Sequence, residues 1–165
     1  MNSNDDKHSV SHLAAQAVVF AVVERARELG VRQAVAVLDA HGLLMAFCRM
    51  EGAPLISREM AQNKALTALF GPSARDPFAR SGGDPALLAS PSQRQRITPL
   101  GGGLAIMVGE QRVGAIGVSG GTLEQDLACA QAGLTALRDG GFLGASTGDE
   151  GGELGERRAG GVRGR

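Results

Sequence analysis

Apolar positions recur along this chain with two different periods, and the points where the period changes divide it into elements. Val10, Leu13, Ala14, Ala17, Val18, Ala21 and Val22 fall at three- and four-residue steps, the spacing of one helix face. Ser9 or Ser11 is placed to cap its start. Arg25 and Arg27 stand in its last turns, and Gly30 follows as the stop residue. From Val31 to Leu38 the chain is almost continuously apolar and predicts a buried strand, Asp39-Ala40-His41-Gly42 supply a turn, and Leu43 to Arg49 form the return strand. Glu51-Gly52-Ala53-Pro54 lead into a second helix, about Leu55 to Phe70, which Gly71-Pro72 end.

Pro72, Pro77, Pro85 and Pro91 break residues 71–96 into short turns, and Ile97 to Leu100 is read as a short strand. After Gly101-Gly102-Gly103 come a strand at Leu104–Val108, a turn at Gly109-Glu110 and a buried strand at Val113–Val118. Ser119-Gly120-Gly121 interrupt the pattern, which restarts at Thr122 with helical spacing. Thr122 and Gln125 form a capping-box pair, and Leu123, Leu127, Ala130, Leu134 and Leu137 form one apolar stripe. Residues 1–8 are polar and read as a flexible N-terminus, residues 9–139 as one domain, and residues 140–165 as a disordered glycine-rich tail with too little apolar surface to offset ordering entropy. The order of helix, hairpin, helix, irregular segment, antiparallel strands and helix is that of an α+β fold, with an antiparallel sheet of about five strands covered by helices.

Composition narrows the function. A chain of 165 residues is long enough for one real core. Its 17 basic residues balance 17 acidic ones, and with no Trp or Tyr and only five Phe it lacks both the charge and the stacking platforms of a nucleic-acid binder. Cys48 and Cys129 stand far apart in apolar-rich segments and read as small buried thiols, not as metal ligands. The start MNSNDDKHSV has no basic segment followed by an apolar one, and no apolar run approaches a membrane span. A cytoplasmic protein without membrane or nucleic-acid partners is expected.

The strand–glycine–helix corner at Ser119, Gly120 and Gly121 leaves backbone N–H groups bare, which suits a carboxylate or a developing oxyanion. Glu124 and Asp126 in the first turn already complement the helix dipole. Gly117-Val118-Ser119-Gly120-Gly121 also fits the G-x-S-x-G pattern, but His8, His12 and His41 all lie upstream, where the hydrolase order needs a histidine downstream. Lys64 sits within an apolar helical run, as a desolvated amine able to move a proton or as the partner of Asp39 or Asp126. Arg49 at a strand end beside glycines suits bidentate capture of a carboxylate or a surface ion pair. No set of histidines and carboxylates has a persuasive metal spacing.

Two blocks, AVAVLDAHGLLMAFCRMEGAPLISREMAQNKALTALFG (residues 34–71) and GGGLAIMVGEQRVGAIGVSGGTLEQDLACAQAGL (residues 101–134), resemble the GlcG/HbpS-like family of haem-degrading-domain proteins. The resemblance covers roughly Val10 to Leu137 and implies a profilin-like fold that is commonly oligomeric, with members that bind haem or help degrade it. It marks Asp39 and Gly42 in the turn; Arg49, Met50, Gly52 and Ala53 after the hairpin; Lys64 and Thr67; Gly101, Gly102 and Gly103; and Ser119, Gly120, Gly121, Gln125 and Asp126. Many relatives have proline where this chain has Ala105, and a second turn glycine where it has His41.

The resemblance implies a small-molecule-binding homo-oligomer that takes haem weakly, with His41 as the candidate haem ligand. Asp39, Arg49, Gly101–Gly103 and Ser119–Gly121 are then candidate binding residues. The alternative is a cofactor-free enzyme acting on a small carboxylate or carbonyl compound. In it Arg49 and the Ser119–Gly121 corner hold the anion, and Lys64 or Asp126 transfers a proton.

Overall fold

The computed structural model describes residues 9–70, 98 and 100–143. Its elements are α1 (His12–Glu28), β1 (Ala34–Asp39), β2 (Leu44–Arg49), α2 (Ser57–Phe70), β3 (Gly103–Val108), β4 (Gln111–Ser119) and α3 (Leu123–Asp139). The strands form one antiparallel sheet in the order β2-β1-β4-β3. Among the described residues the sheet therefore has four strands, not about five. The expected strand at 97–100 does not form at Thr98 or Leu100: the Thr98 N–H donates to the Thr67 hydroxyl on α2, and the Leu100 N–H to the hydroxyl of Thr98.

The sheet is covered on both faces, which explains the nearly unbroken apolar reading of β1. Val35, Val37, Ile106, Ile116 and Val118 pack against Ala14, Ala15, Val18, Val22 and Ala26 of α1 and Cys129, Ala130 and Leu137 of α3. The opposite face carries the smaller residues Ala34, Ala36 and Ala115, with Leu38, against Ala61, Ala65, Leu66 and Leu69 of α2. Glycine lets α2 approach so closely. A Cβ on Gly117 would overlap the Ala61 carbonyl oxygen, and one on Gly103 the Lys64 carbonyl oxygen.

Helix ends follow the sequence signals. The Ser11 hydroxyl caps α1 by accepting from the Ala14 N–H, and Gly30 (φ 68°) closes it with Val31 N–H donating to Ala26 O and Gly30 N–H to Arg27 O. The Thr122–Gln125 capping box starts α3. Its end is closed by Gly141 (φ 71°), with Phe142 N–H donating to Leu137 O. Leu143 packs on the core beyond the end of α3. The 1–8 and 144–165 segments, read above as flexible and disordered, and the 71–96 turns lie outside the described residues. No helix among the described residues is long and apolar enough to cross a membrane.

Candidate functional site

Strand β1 separates the candidate residues into two groups. Asp39 pairs with Gly114 at one end of the strand, and Ala34 pairs with both Arg49 and Ser119 at the other. Six residues at a strand rise set the two ends about 17 Å apart. His41 and Asp39 thus stand at the hairpin end, whereas Arg49, Lys64, Asp126, Gly101–Gly103 and Ser119–Gly121 gather at the opposite, corner end.

At the corner end lies a buried ionic network. The Lys64 ammonium sits 2.6 Å from Asp126 Oδ2, with the two side chains only 6% and 3% exposed. Of the two partners the sequence offered for Lys64, the fold brings Asp126 and leaves Asp39 at the hairpin. Lys64 also donates to the Val118 carbonyl at 3.1 Å. Its route explains a glycine. The Val118 N–H donates to the Gly102 carbonyl, but Gly102 (φ 107°) turns away and leaves the Val118 carbonyl to Lys64. A Cβ on Gly102 would stand 3.0 Å from the ammonium, so a side chain there would crowd the gap through which Lys64 passes the end of the sheet. Lys64 thereby joins α2 on one face to α3 on the other.

Asp126 is bound on its other oxygen as well. Oδ1 accepts from Gln33 Nε2 at 2.9 Å and from the Gly121 N–H at 3.0 Å. The Thr122 N–H donates to Gln125 Oε1. Two of the N–H groups that make the corner attractive to an anion are therefore already satisfied by the protein's own side chains. Gly120 (φ 133°) is needed for packing, because a Cβ there would lie 2.5 Å from the Arg32 carbonyl oxygen. Gln33 is the network residue that sequence reading missed. A polar residue directly before the apolar run Ala34–Leu38 was its only signal. Its Oε1 is buried without a hydrogen-bond partner among the described residues.

Arg49 is exposed at the end of β2, and its Nη1 donates to the Ala53 carbonyl at 3.1 Å. At the hairpin end, Asp39 Oδ1 accepts from the N–H groups of His41 (2.9 Å) and Leu43 (2.8 Å), so this carboxylate builds the turn. The other Asp39 oxygen lies 4.0 Å from His41 Nδ1, and the His41 side chain is 59% exposed. Leu43 and Leu44 beside it are exposed apolar residues, and Gly42 packs near Phe70. The Ala40 N–H donates to the Ser9 hydroxyl at 3.0 Å, which brings the start of α1, with exposed His12, to the same end.

Cys129 is fully buried and Cys48 half-buried, and both are free thiols. Burial pushes the Cys129 thiol up to about 11. Among the described residues no group of three or more His, Cys, Asp or Glu could hold a metal ion.

A family model described as "Haem degrading protein HbpS-like" matches residues 10–135. The chain is 36% identical over 124 residues to the corrinoid adenosyltransferase PduO of Salmonella typhimurium, covering 73% of this chain but only 36% of that protein. It therefore spans about a third of the length of that relative. It is 32% identical over 112 residues to protein GlcG of Escherichia coli K12, covering 67% of this chain and 81% of that protein. Among solved structures it is similar to a complex of PduOC with haem, with a TM-score of 0.64 and 32% identity over 78% of this chain and 94% of that one.

Proposed function

The chain belongs to the GlcG/HbpS-like family, and from that premise we propose that it is a small-molecule-binding module whose ligand is haem, held weakly at the hairpin end. The observation that carries this reading is the likeness to a protein solved with haem, joined to an exposed imidazole at His41 with exposed apolar neighbours. The residues suit the group. His41 offers an axial nitrogen, and Leu43 and Leu44 offer apolar contact for a macrocycle. The Asp39 carboxylate, 4.0 Å from Nδ1, would favour a positive or metal-bound imidazole without bonding to it. Bound haem would supply a redox-active iron; the protein's part is to ligate, orient and shield it. A single exposed histidine favours a weak, high-spin complex.

The enzyme alternative draws less support from the geometry. Lys64 and Asp126 neutralise each other in the interior, so either would have to leave its partner before moving a substrate proton. A homo-oligomer is part of the proposal, since Leu13 and Phe20 stand exposed two helical turns apart on α1. The test is a haem titration followed by absorbance. Wild type should show a saturable Soret change that His41→Ala alters, with His12→Ala as the neighbouring control. Sub-micromolar affinity with a spectrum unchanged on replacing His8, His12 and His41 together would overturn the assignment of the ligand.

A further inference from the structure

The corner end holds a second feature, which neither the buried network nor the haem reading uses. Ala34 stands opposite Arg49, and strand pairing continues outward, with the Met50 N–H donating to the Gln33 carbonyl. Gln33 points to Asp126 on the α3 side of the sheet, so its neighbours Arg32 and Ala34 point to the other side, the side of Arg49. Arg32 and Arg49 are therefore diagonal neighbours on one face, roughly 7–8 Å apart at the backbone. The Arg32 stem runs past Gly52 (φ 81°), where a Cβ would lie 3.7 Å from its Cγ.

Both arginines are exposed, and among the described residues neither joins an ion pair. The ion pairs of the described residues are Arg25–Glu28, Arg27–Glu24, His41–Asp39 and Lys64–Asp126. Glu51, Arg58 and Glu59 flank the pair and are exposed, and neither acid lies within 4.0 Å of either arginine. The bond from Arg49 to the Ala53 carbonyl already fixes one guanidinium, which lowers the ordering cost of binding. Two residues beyond Ala53, Leu55 is 81% exposed and Ile56 64% exposed. Two unpaired cations next to an open apolar step match a molecule with an acid at one end and a hydrocarbon body at the other.

We infer that Arg32 and Arg49, with Leu55 and Ile56, form a binding site for the carboxylate of an amphiphilic organic acid, separate from the hairpin end. The site does not depend on the haem reading. Arg49 makes the bidentate contact, Arg32 adds charge, and the two apolar side chains cover the hydrocarbon. It also moves anion recognition away from the glycine corner, whose Gly121 and Thr122 N–H groups are already occupied.

The probe is sodium octanoate, titrated into the full-length protein and read from backbone amide NMR shifts. Sodium acetate and octanol serve as half-probes for charge and chain. Saturable octanoate shifts centred on Gly52, Ala53 and Gly120 are expected. Arg49→Gln should weaken them about tenfold or more, the loss of a charge-assisted hydrogen bond. Arg32→Gln/Arg49→Gln should abolish them, and Arg49→Lys should restore only part. Leu55→Ser/Ile56→Ser should weaken octanoate while leaving acetate unchanged, and His41→Ala should alter neither. The side chains are exposed, so the spectra of the variants also report that they fold. Octanoate binding retained in the double arginine variant, shifts centred on the hairpin, or octanol matching octanoate would each overturn the inference.

Discussion

Removing one member of the buried Lys64–Asp126 pair tests the core of the structure, and the two removals should not cost the same. Asp126→Ala leaves the ammonium 6% exposed with only the Val118 carbonyl, and strips Gln33 Nε2 and the Gly121 N–H of their acceptor. Breaking a buried pair from one side costs about 3–5 kcal/mol, and two orphaned donors place this variant at the upper end. Lys64→Met leaves a carboxylate that still accepts from Gln33 and Gly121, while the methionine fills most of the lysine's volume. Its cost should sit near the lower end, about 3 kcal/mol. Lys64→Met/Asp126→Leu removes both charges, so its cost should fall below the sum of the two singles by about 2 kcal/mol or more. Urea unfolding at one fixed protein concentration, followed by circular dichroism, gives all four stabilities. Concentration must be held constant because assembly shifts apparent stability. Single variants that each cost less than about 1 kcal/mol, or costs that simply add, would refute a buried and coupled pair.

Other consequences are more local. Gly117→Val should prevent stable folding, because its side chain meets the Ala61 carbonyl of α2; a soluble variant with wild-type thermal unfolding would contradict that packing. Cys129 is held protonated by burial up to about 11, against 9.0 for the free thiol. Above pH 9 the unfolded chain releases this proton first, so stability should fall as pH rises from 9 toward 11, and Cys129→Ala should flatten that decline in denaturation measured across the range. A chain ending at Leu143 should sediment as the same oligomer as the full chain, since exposed apolar residues such as Leu13 and Phe20 of α1 lie before that point; a monomer would place assembly in the tail.

Local signals in the sequence predicted local structure well. Ser11 and Thr122 cap helices as their positions imply, and Gly30 terminates α1 in the expected left-handed conformation. Lys64 was legible as an amine within an apolar helical run, whereas the position of Asp126 marked it as a first-turn acid complementing the helix dipole. What pattern could not supply was the choice between Asp39 and Asp126 as the partner of Lys64. Residues 64 and 126 meet beside Gly102 at the end of the sheet, a tertiary arrangement with no local signature. The same limit explains the corner. Its bare N–H groups were legible, but their occupation by Asp126 and Gln125 was not. The expected strand at 97–100 does not form at the described residues Thr98 and Leu100, where the Thr98 N–H bonds the Thr67 hydroxyl on α2 instead.

The position of haem on the protein tests the central claim most directly. Ferric haem is paramagnetic, and titrating it into the labelled full-length protein should broaden the amide signals nearest the iron. Broadening should centre on Ala40, His41, Leu43 and Leu44 and weaken with His41→Ala, with the signals of Gly120 and Gly121 across the sheet retained. Broadening centred on the Ser119–Gly121 corner, or saturable binding with the hairpin signals untouched, would contradict it.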